Sequence, residues 1–407
     1  MRDIDFDTIE TDELLDLARR QVDAWTRAVL ELAPPDDARV DAHCHIGIDS
    51  DGSRIDEDQL LAQLDRADIH HATVTALHQP SGYVAENARI REVAAASDGR
   101  LHALHRCDPN APDPAADARA GLAAGAIGLK WHPRAEQFGM RDEVATVTAA
   151  VADEAGVPIL IHAGRGMQQL GEGVIELART HRDATFLLAH AAISDIAWIV
   201  EESRDLPNVV FDTSWWRPTD VAVLLATCEP ERILHGSDPP YGTAPMGLQV
   251  TARLARACGW GDDAMAALLG GTARRVFGLG DPAAAITGHA PHMPIEVPAF
   301  RRASELLAAA LHVEFGQGES AEVFDLAIAA LDVPPSHELH DAANTLQGVI
   351  AAGRALFDRD GEGHHSPDEE SFMAMPVTRR AGVELLICTL THLSTPALPT
   401  TAIDRVG

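Results

Sequence analysis

The sequence predicts an α/β fold, a (β/α)₈ TIM barrel followed by a small α-helical C-terminal domain. Eight short apolar runs, rich in β-branched residues, recur at intervals of roughly 24 to 31 residues with helix-length stretches between them. No Gly-x-Gly-x-x-Gly motif follows the first run, which argues against a dinucleotide-binding sheet. The polar exceptions in these runs fall near their carboxyl ends, where such barrels build active sites.

The first predicted element is a helix over residues 12–33, because Leu14, Ala18, Val22 and Trp25 recur at helical spacing. We assign residues 1–38 to an N-terminal helical arm and 39–280 to the barrel. The strands are predicted near Arg39–Gly47, Ala72–His78, Leu101–Asp108, Ala126–Pro133, Val157–Gly164, Ala184–Ala191, Asn208–Ser214 and Arg232–Pro239. Helices between them are predicted at Glu57–Arg66, Glu143–Ala155 and Asp195–Ser203.

The C-terminal third of the chain differs in pattern. Repeated Pro and Gly mark residues 281–298 as a linker, and 299–407 are predicted to form the α-helical domain. Its helices are predicted at Phe300–Val313, Ala321–Ala330 and His337–Phe357.

Composition narrows the class of protein. The 407-residue chain carries a formal charge of −30, which excludes nucleic acid and anionic membranes as partners because phosphates would be repelled. Its apolar runs are too short to span a membrane, and its acidic N-terminus does not resemble a signal peptide. The five cysteines are scattered without a Cys-x-x-Cys pair, so we expect a reduced, cytoplasmic protein.

Five polar residues close predicted strands: His43, His45, His162, His190 and Asp238. Residues two apart in a strand point to the same face, so the first two imidazoles aim at one point while the cysteine between them faces away. Imidazoles with one carboxylate suit zinc or another first-row divalent ion. The sequence therefore predicts a metal site, with His190 beside it either as a general base or as the residue that orients the attacked group.

Lys130 is the single lysine among 32 lysine and arginine residues, and it lies in a predicted strand. Lysine loses its proton when buried, whereas arginine does not. A role that needs an uncharged amine, a carbamate or a compact ammonium would explain why lysine and not arginine stands here. The alternative is chance, combined with a small cavity that only lysine fits. Lys130 is therefore a candidate catalytic residue.

The motifs of this chain resemble those of the amidohydrolase superfamily, in particular its amidohydrolase-2 branch of metal-dependent hydrolases and decarboxylases. The resemblance covers about residues 39–280, and Thr272 stands where the closing motif usually has Asn. The matching segments are Asp-Ala-His-Cys-His-Ile-Gly (41–47), Gly-Leu-Lys-Trp-His-Pro (128–133), Pro-Ile-Leu-Ile-His-Ala-Gly (158–164), Leu-Leu-Ala-His-Ala (187–191), Ile-Leu-His-Gly-Ser-Asp-Pro-Pro (233–240) and residues 270–279.

The resemblance implies metal ligation by His43, His45, His162 and Asp238, with Asp238 also shuttling a proton and His190 as base of a one-metal site. In two-metal relatives a carbamylated lysine bridges the ions, and Lys130 lies on the corresponding strand. The number of ions, one or two, and the state of Lys130 stay open at this point.

Loops after the strands are expected to bind substrate, and Arg134, Arg165 and Trp215 are the candidate residues. Arginines near the site of an acidic protein indicate a small carboxylate-bearing substrate. We expect hydrolysis of a C–O or C–N bond by a metal-activated water. The alternative is non-oxidative decarboxylation of an aromatic or unsaturated acid. The sequence leaves open whether the protein forms a homo-oligomer.

The segment 358–369 resembles an EF-hand calcium loop, with Gly363 at the turn position. A charged helix–turn–helix with Ser366 as N-cap is the other interpretation of this segment. A catalytically inactive, calcium-binding interaction protein is accordingly a third functional hypothesis. The candidate calcium residues are Asp358, Asp360, Glu362, His364, Ser366 and Glu369.

Overall fold

A computed structural model describes residues 4, 6, 8–35, 38–165, 169–286, 288–315, 318, 320–359 and 376–401. Eight parallel strands in this part of the chain correspond to the eight predicted runs. They are β1 (Val40–Ile48), β2 (His71–Ala76), β3 (Leu101–Ala103, continued by His105–Arg106), β4 (Leu129–Trp131), β5 (Pro158–Ile161), β6 (Thr185–Leu188), β7 (Val209–Asp212) and β8 (Ile233–Leu234).

Each strand pairs in parallel with the next along the chain, from β1 to β8. The first and last strands are joined by backbone hydrogen bonds, from the Ala42 N–H to the His235 carbonyl at 2.9 Å and from the Asp238 N–H to the His43 carbonyl at 2.8 Å. A short strand, Arg54–Ile55, adds antiparallel to the end of β1. The predicted (β/α)₈ TIM barrel is therefore confirmed.

Helices alternate with the strands as the sequence predicts, with one difference at 195–203. There the chain forms turns and only a short helix, Ile199–Glu202, and the Asp195 carboxylate accepts the Gly171 N–H at 3.1 Å. The helices up to β8 are Thr11–Leu32, Glu57–Arg66, Val84–Ala96, Pro114–Ala123, Pro133–Glu136, Glu143–Ala155, Leu170–Thr180, Ile199–Glu202 and Pro218–Thr227, with 3₁₀ turns at His190–Ala192 and Pro230–Arg232.

Shorter helical segments follow β8, and four longer helices end the described chain. The former are Ala244–Leu248, Gln249–Arg253, Leu254–Ala257, Asp262–Ala266, Ala267–Gly271 and Thr272–Phe277, of which the second and fifth are π-helical. The latter are Pro298–Phe315, Ala321–Ala329, His340–Asp358 and Val377–Leu393, which we call the C-terminal helices. No helix in the described ranges has the length and hydropathy that a membrane span requires.

Side chains alternate between two cores along the barrel strands. Leu104, Leu160, Leu187, Val210 and Leu234 pack in the barrel interior. Their strand neighbours pack outward against the helices. The residues two positions beyond an interior leucine or valine consequently lie on the inner face at the strand's carboxyl end.

Strand β1 changes face along its length. Val40 and Ala42 belong to the interior core, whereas Cys44 and Ile46 belong to the outer one. The register of β1 against β2 shifts between Asp41 and Cys44, which is the signature of a bulge. This shift turns His43 and the next histidine toward the barrel mouth.

The N-terminal and C-terminal helices share the outer core with the barrel. Trp25 stacks on His392 with ring centroids 4.0 Å apart, and its indole N–H donates to the Thr401 carbonyl at 2.7 Å. Arg253, which follows β8, donates to Thr395 Oγ1 at 2.6 Å. The last helix is thus tied to both the first helix and the barrel.

Candidate metal centre

A cavity of about 680 Å³ opens at the carboxyl ends of the strands. Every residue that we predicted for the metal site and for substrate binding lines it. They are His43, His45, Lys130, Arg134, Arg165, His162, His190, Trp215 and Asp238.

Two imidazole nitrogens converge on one carboxylate oxygen in this cavity. The Nε2 atoms of His43 and His45 lie 3.3 Å and 3.1 Å from Asp238 Oδ1. The Nδ1 atoms of the two histidines face acceptors, the Asp212 carboxylate at 2.9 Å and the Ala76 carbonyl at 3.4 Å. We therefore assign the ring protons to Nδ1, which leaves both Nε2 lone pairs directed at Asp238.

The other two histidines meet at the next strands. His190 Nδ1 donates to the Ser214 carbonyl at 2.8 Å, so its Nε2 accepts from His162 Nδ1 at 2.9 Å. His162 Nε2 is buried without a hydrogen-bond partner among the described residues. A Cβ on Gly164 would lie 2.7 Å from that nitrogen, so the glycine keeps the space beside it open.

These residues fit a divalent cation. Three acceptor atoms converge here, on His43, His45 and Asp238, and they repel one another unless a positive charge lies among them, either a bound cation or the Lys130 ammonium 3.2 Å from His43 Nε2. Among the described residues, His43, His190 and Asp238 form a group whose ligand atoms all lie within 4.8 Å of one another. Imidazole nitrogens with one carboxylate are the donor set of zinc and similar ions.

The protonation states of the site residues also fit a bound divalent cation. Burial lowers the pKa of His43 to about 4, with Lys130 adding to the effect, and burial lowers the pKa of His45 and His162 well below its usual range. Burial raises the pKa of Asp238, which the neighbouring histidines and Lys130 oppose. Neutral imidazoles at pH 7 are the form that binds metal.

Lys130 lies at the centre of the cluster rather than at its edge. Its Nζ is 3.2 Å from His43 Nε2, and the side chain is buried. Burial lowers the pKa of Lys130 to about 8, against the pull of Asp238, Asp212 and Glu136 toward the charged form. A fraction of the Lys130 side chains therefore carries the uncharged amine near neutral pH, as the sequence suggests.

The backbone at two site residues is strained. His190 and Asp238 both have φ near +58°, in the left-handed region that residues other than glycine rarely adopt. Such conformations cost on the order of 1–3 kcal/mol each and persist where the surroundings hold them. The Asp212 carboxylate accepts the His190 N–H at 2.8 Å and contributes to that hold.

Asp212 is a site residue that our sequence reasoning missed. It ends β7, two positions after the interior residue Val210, and it is fully buried. Besides His43 and His190, it accepts the Ser214 hydroxyl at 2.6 Å. Its position after an interior residue, in a run that ends in Asp-Thr-Ser, is the sequence signal that identifies it.

Arg106 is the second residue that we missed, at the end of β3. It lines the cavity and is 1% exposed. Its Nε donates to Glu136 Oε1 at 2.7 Å and its Nη1 to the Ala76 carbonyl at 2.8 Å, while Tyr83 donates to the same Glu136 oxygen at 2.7 Å. Its Nη2 is buried without a partner among the described residues.

The outer part of the cavity carries positive charge and aromatic rings. The Arg165 guanidinium lies 5.3 Å and 5.6 Å from the ring centroids of Trp215 and Trp216. Partial burial and the charges of Arg217 and Arg134 lower the pKa of Arg165. Positive charges gathered in a protein of net charge −30 favour an anionic ligand.

The predicted calcium loop lies almost wholly outside the described residues. Of its candidate ligands only Asp358 is described, at the end of a helix, where its carboxylate is 3.5 Å from Arg354 Nε. The residues of the loop outside the description are Asp360, Glu362, Gly363, His364, Ser366 and Glu369. Calcium binding stays a prediction.

Comparison with known proteins decides the family. The amidohydrolase family model, Amidohydro_2, matches residues 40–279. The chain belongs to the amidohydrolase family. Its membership places it among metal-dependent hydrolases and decarboxylases, and the N-terminal helix and the C-terminal helices lie outside the family segment. No curated protein sequence matches it significantly.

Several solved structures are similar to this amidohydrolase at low sequence identity. An uncharacterised TIM-barrel protein from Bordetella bronchiseptica has a TM-score of 0.50 and 14% identity, over 59% of this chain and 98% of that one. An amidohydrolase from Burkholderia multivorans with bound HEPES has a TM-score of 0.49 and 17% identity, over 59% and 99%. A 2,6-dihydroxybenzoate decarboxylase in complex with 2,6-dihydroxybenzoate has 0.49 and 14%, over 60% and 99%. At these identities the likeness concerns the fold alone.

The hydrogen bond from His43 to Asp212 yields a test of the centre. We expect Asp212→Asn to lower the affinity for zinc about 10- to 100-fold, because the neutral amide no longer fixes the His43 ring with its Nε2 lone pair toward Asp238. Competition with a chelator of known affinity measures the change. Asp220→Asn, which changes a carboxylate that accepts the Trp215 indole N–H and has no hydrogen bond to a histidine among the described residues, is the control. Unchanged zinc affinity in Asp212→Asn would contradict this role.

Proposed function

We propose that the protein is a metal-dependent hydrolase that cleaves a C–O or C–N bond of a small, carboxylate-bearing substrate. The observation that carries the proposal is the convergence of His43 Nε2 and His45 Nε2 on Asp238 Oδ1 in a cavity at the barrel mouth. The proposed ligands are His43, His45, His162 and Asp238. One ion is the simpler assignment, and a second ion requires a carbamylated Lys130.

A divalent ion held there would polarise a bound carbonyl or carboxylate group and lower the pKa of water toward about 7. The proposed proton carriers are Asp238 and His190, whose Oδ2 and Nδ1 atoms are 3.9 Å apart. Beside the proposed ion, the Asp238 carboxylate accepts a proton from water and passes it to a leaving group. Because His190 Nδ1 donates to the Ser214 carbonyl, this ring takes up a proton only at Nε2, which then gives up its hydrogen bond from His162.

Substrate recognition is proposed at two levels of the cavity. Deep in it, the unpartnered Nη2 of Arg106 and the amine of Lys130 supply donors for a carboxylate or a polarised oxygen. Nearer the surface, Arg134 and Arg165 supply positive charge, and Trp215 supplies a ring face. Because guanidinium groups bind carboxylates with two parallel hydrogen bonds, an acidic substrate suits both levels.

Non-oxidative decarboxylation is the second candidate reaction. Asp238 serves this reaction as well, because in its protonated form it would deliver a proton to carbon. An aromatic or unsaturated acid would place its carboxylate at the same cluster of side chains. The two reactions differ in their products and not in the residues that they require.

Metal analysis followed by product analysis tests the proposal. The purified chain is expected to hold one transition-metal ion, and loaded protein is expected to convert esters, lactones or amides of small acids into the acid and an alcohol or amine. Release of carbon dioxide from hydroxybenzoates, without hydrolysis, would favour the second candidate. Equal turnover by metal-stripped and metal-loaded protein would contradict both. No turnover of either panel, with calcium as the bound ion, would favour the inactive calcium-binding protein.

A further inference from the structure

The C-terminal helices, which lie outside the family segment, reach the candidate active site. Phe315, from the first of them, and Val383 and Ile387, from the last, line the candidate active-site cavity. The same cavity holds His43, His45, His162 and His190, which we call the histidine cluster. Met246 and Val250, which follow β8, line it too. We call these five residues the apolar wall.

The wall is held in place by contacts to the barrel. Thr243 Oγ1 donates to Glu384 Oε1 at 2.6 Å, which joins the loop after β8 to the last helix next to Val383. Phe315 packs edge-on against Trp216, with ring centroids 5.3 Å apart. Because Val383 and Ile387 are four residues apart, they occupy one face of the helix. That face is therefore part of the cavity surface.

The wall has no role in the chemistry derived so far. Hydrolysis or decarboxylation of a small acid uses the histidine cluster, Lys130 and the arginines. The cavity measures about 680 Å³, which is within the range of sites for drug-sized ligands. A short acid would leave the apolar part of this volume unfilled, so the wall indicates a larger, apolar portion of the ligand.

We infer that the substrate is an amphiphilic carboxylate whose alkyl or aryl group lies against the apolar wall, so that the C-terminal helices set the length and apolarity of the substrate. This inference rests on the proposed function, because that function places the polar end of the substrate at the histidine cluster and the arginines. Val383 and Ile387 are then specificity-determining residues.

Binding of homologous ligands to the full-length, metal-loaded chain tests the inference by calorimetry. The probes are unbranched carboxylates from acetate to decanoate, with the matching n-alkanols in parallel. Each added methylene is expected to tighten binding about three- to fourfold until the wall is covered. Val383→Phe is expected to weaken the binding of octanoate and octanol at least about tenfold, because the larger ring fills the space of the ligand's alkyl chain. The affinity for acetate is expected to stay unchanged.

Two further variants separate a specific effect from a folding defect. Val383→Thr keeps the shape of the side chain and adds a hydroxyl group. It is expected to weaken the binding of the long homologues several-fold, with an unchanged midpoint of thermal unfolding. Val377→Phe, on the same helix but 68% exposed and outside the cavity, is expected to bind like wild type. Affinity that does not depend on chain length in the wild type, or a dependence that both Val383 variants retain, would overturn the inference. If affinity depends on chain length as expected but the protein turns over no substrate, only the proposed function is overturned.

Discussion

Replacement of Asp238 by alanine is expected to lower kcat at least about 1,000-fold and to leave the chain without a stoichiometric transition-metal ion. The carboxylate is the point on which two imidazole lone pairs converge, at 3.1 Å and 3.3 Å. Without it, His43 and His45 lose the charged ligand that neutralises a divalent cation, and the proposed proton carrier is lost as well. Steady-state kinetics and metal analysis of the same preparation measure the two effects.

A second carboxylate in the cavity provides the matched control for Asp238. Asp51 also lines the cavity, and its carboxylate accepts the Ser53 N–H at 2.8 Å. We expect Asp51→Ala to keep its metal ion and most of its activity. An Asp238→Ala protein that retained one ion per chain and wild-type turnover would refute the metal centre as described.

Arg106→Met is expected to lower the free energy of unfolding by about 3–5 kcal/mol, because it leaves the Glu136 carboxylate buried without its cation. The Arg106 and Glu136 side chains are 1% and 4% exposed, and their atoms meet at 2.7 Å. Tyr83 and the His132 N–H still donate to Glu136, which supplies hydrogen bonds but no positive charge. Denaturant titration measures the loss, and KM for an acidic substrate is expected to rise in parallel.

A double variant distinguishes the unpaired charge from the lost packing of the arginine. Adding Glu136→Gln to Arg106→Met removes the orphaned charge, and it is expected to restore part of the lost stability while KM stays raised. Arg141→Met breaks the exposed pair with Glu176 and is expected to leave unfolding unchanged. If Arg106→Met has the same free energy of unfolding as wild type, the buried Arg106–Glu136 pair does not stabilise the fold as we describe.

Much of the candidate site was predictable from the sequence because strand periodicity is local. A histidine that closes an apolar run must lie at a strand end, and residues two apart share a face, whichever strands are neighbours. Parallel strands in a barrel then bring those ends to one mouth. His43, His45, Lys130, His162 and Asp238 all line one cavity for that reason.

Partnerships between strands were not predictable in this way. Asp212 orients His43 across 169 positions of chain, and Arg106 meets Glu136 from a different strand-to-helix connection. The register shift in β1, which aims His43 into the mouth, depends on the pairing with β2 and leaves no local pattern. These contacts exist only once the sheet has closed.

The sequence by itself determined the barrel, the order of its strands and the histidines, Lys130 and Asp238 near their carboxyl ends, since each depends on spacing within one segment. Only the tertiary structure decided that Val383 and Ile387 border the same cavity as His43. Their helical spacing shows an apolar face but not what that face packs against. That depends on how the last helix packs against the first helix and the barrel, through contacts between residues hundreds of positions apart.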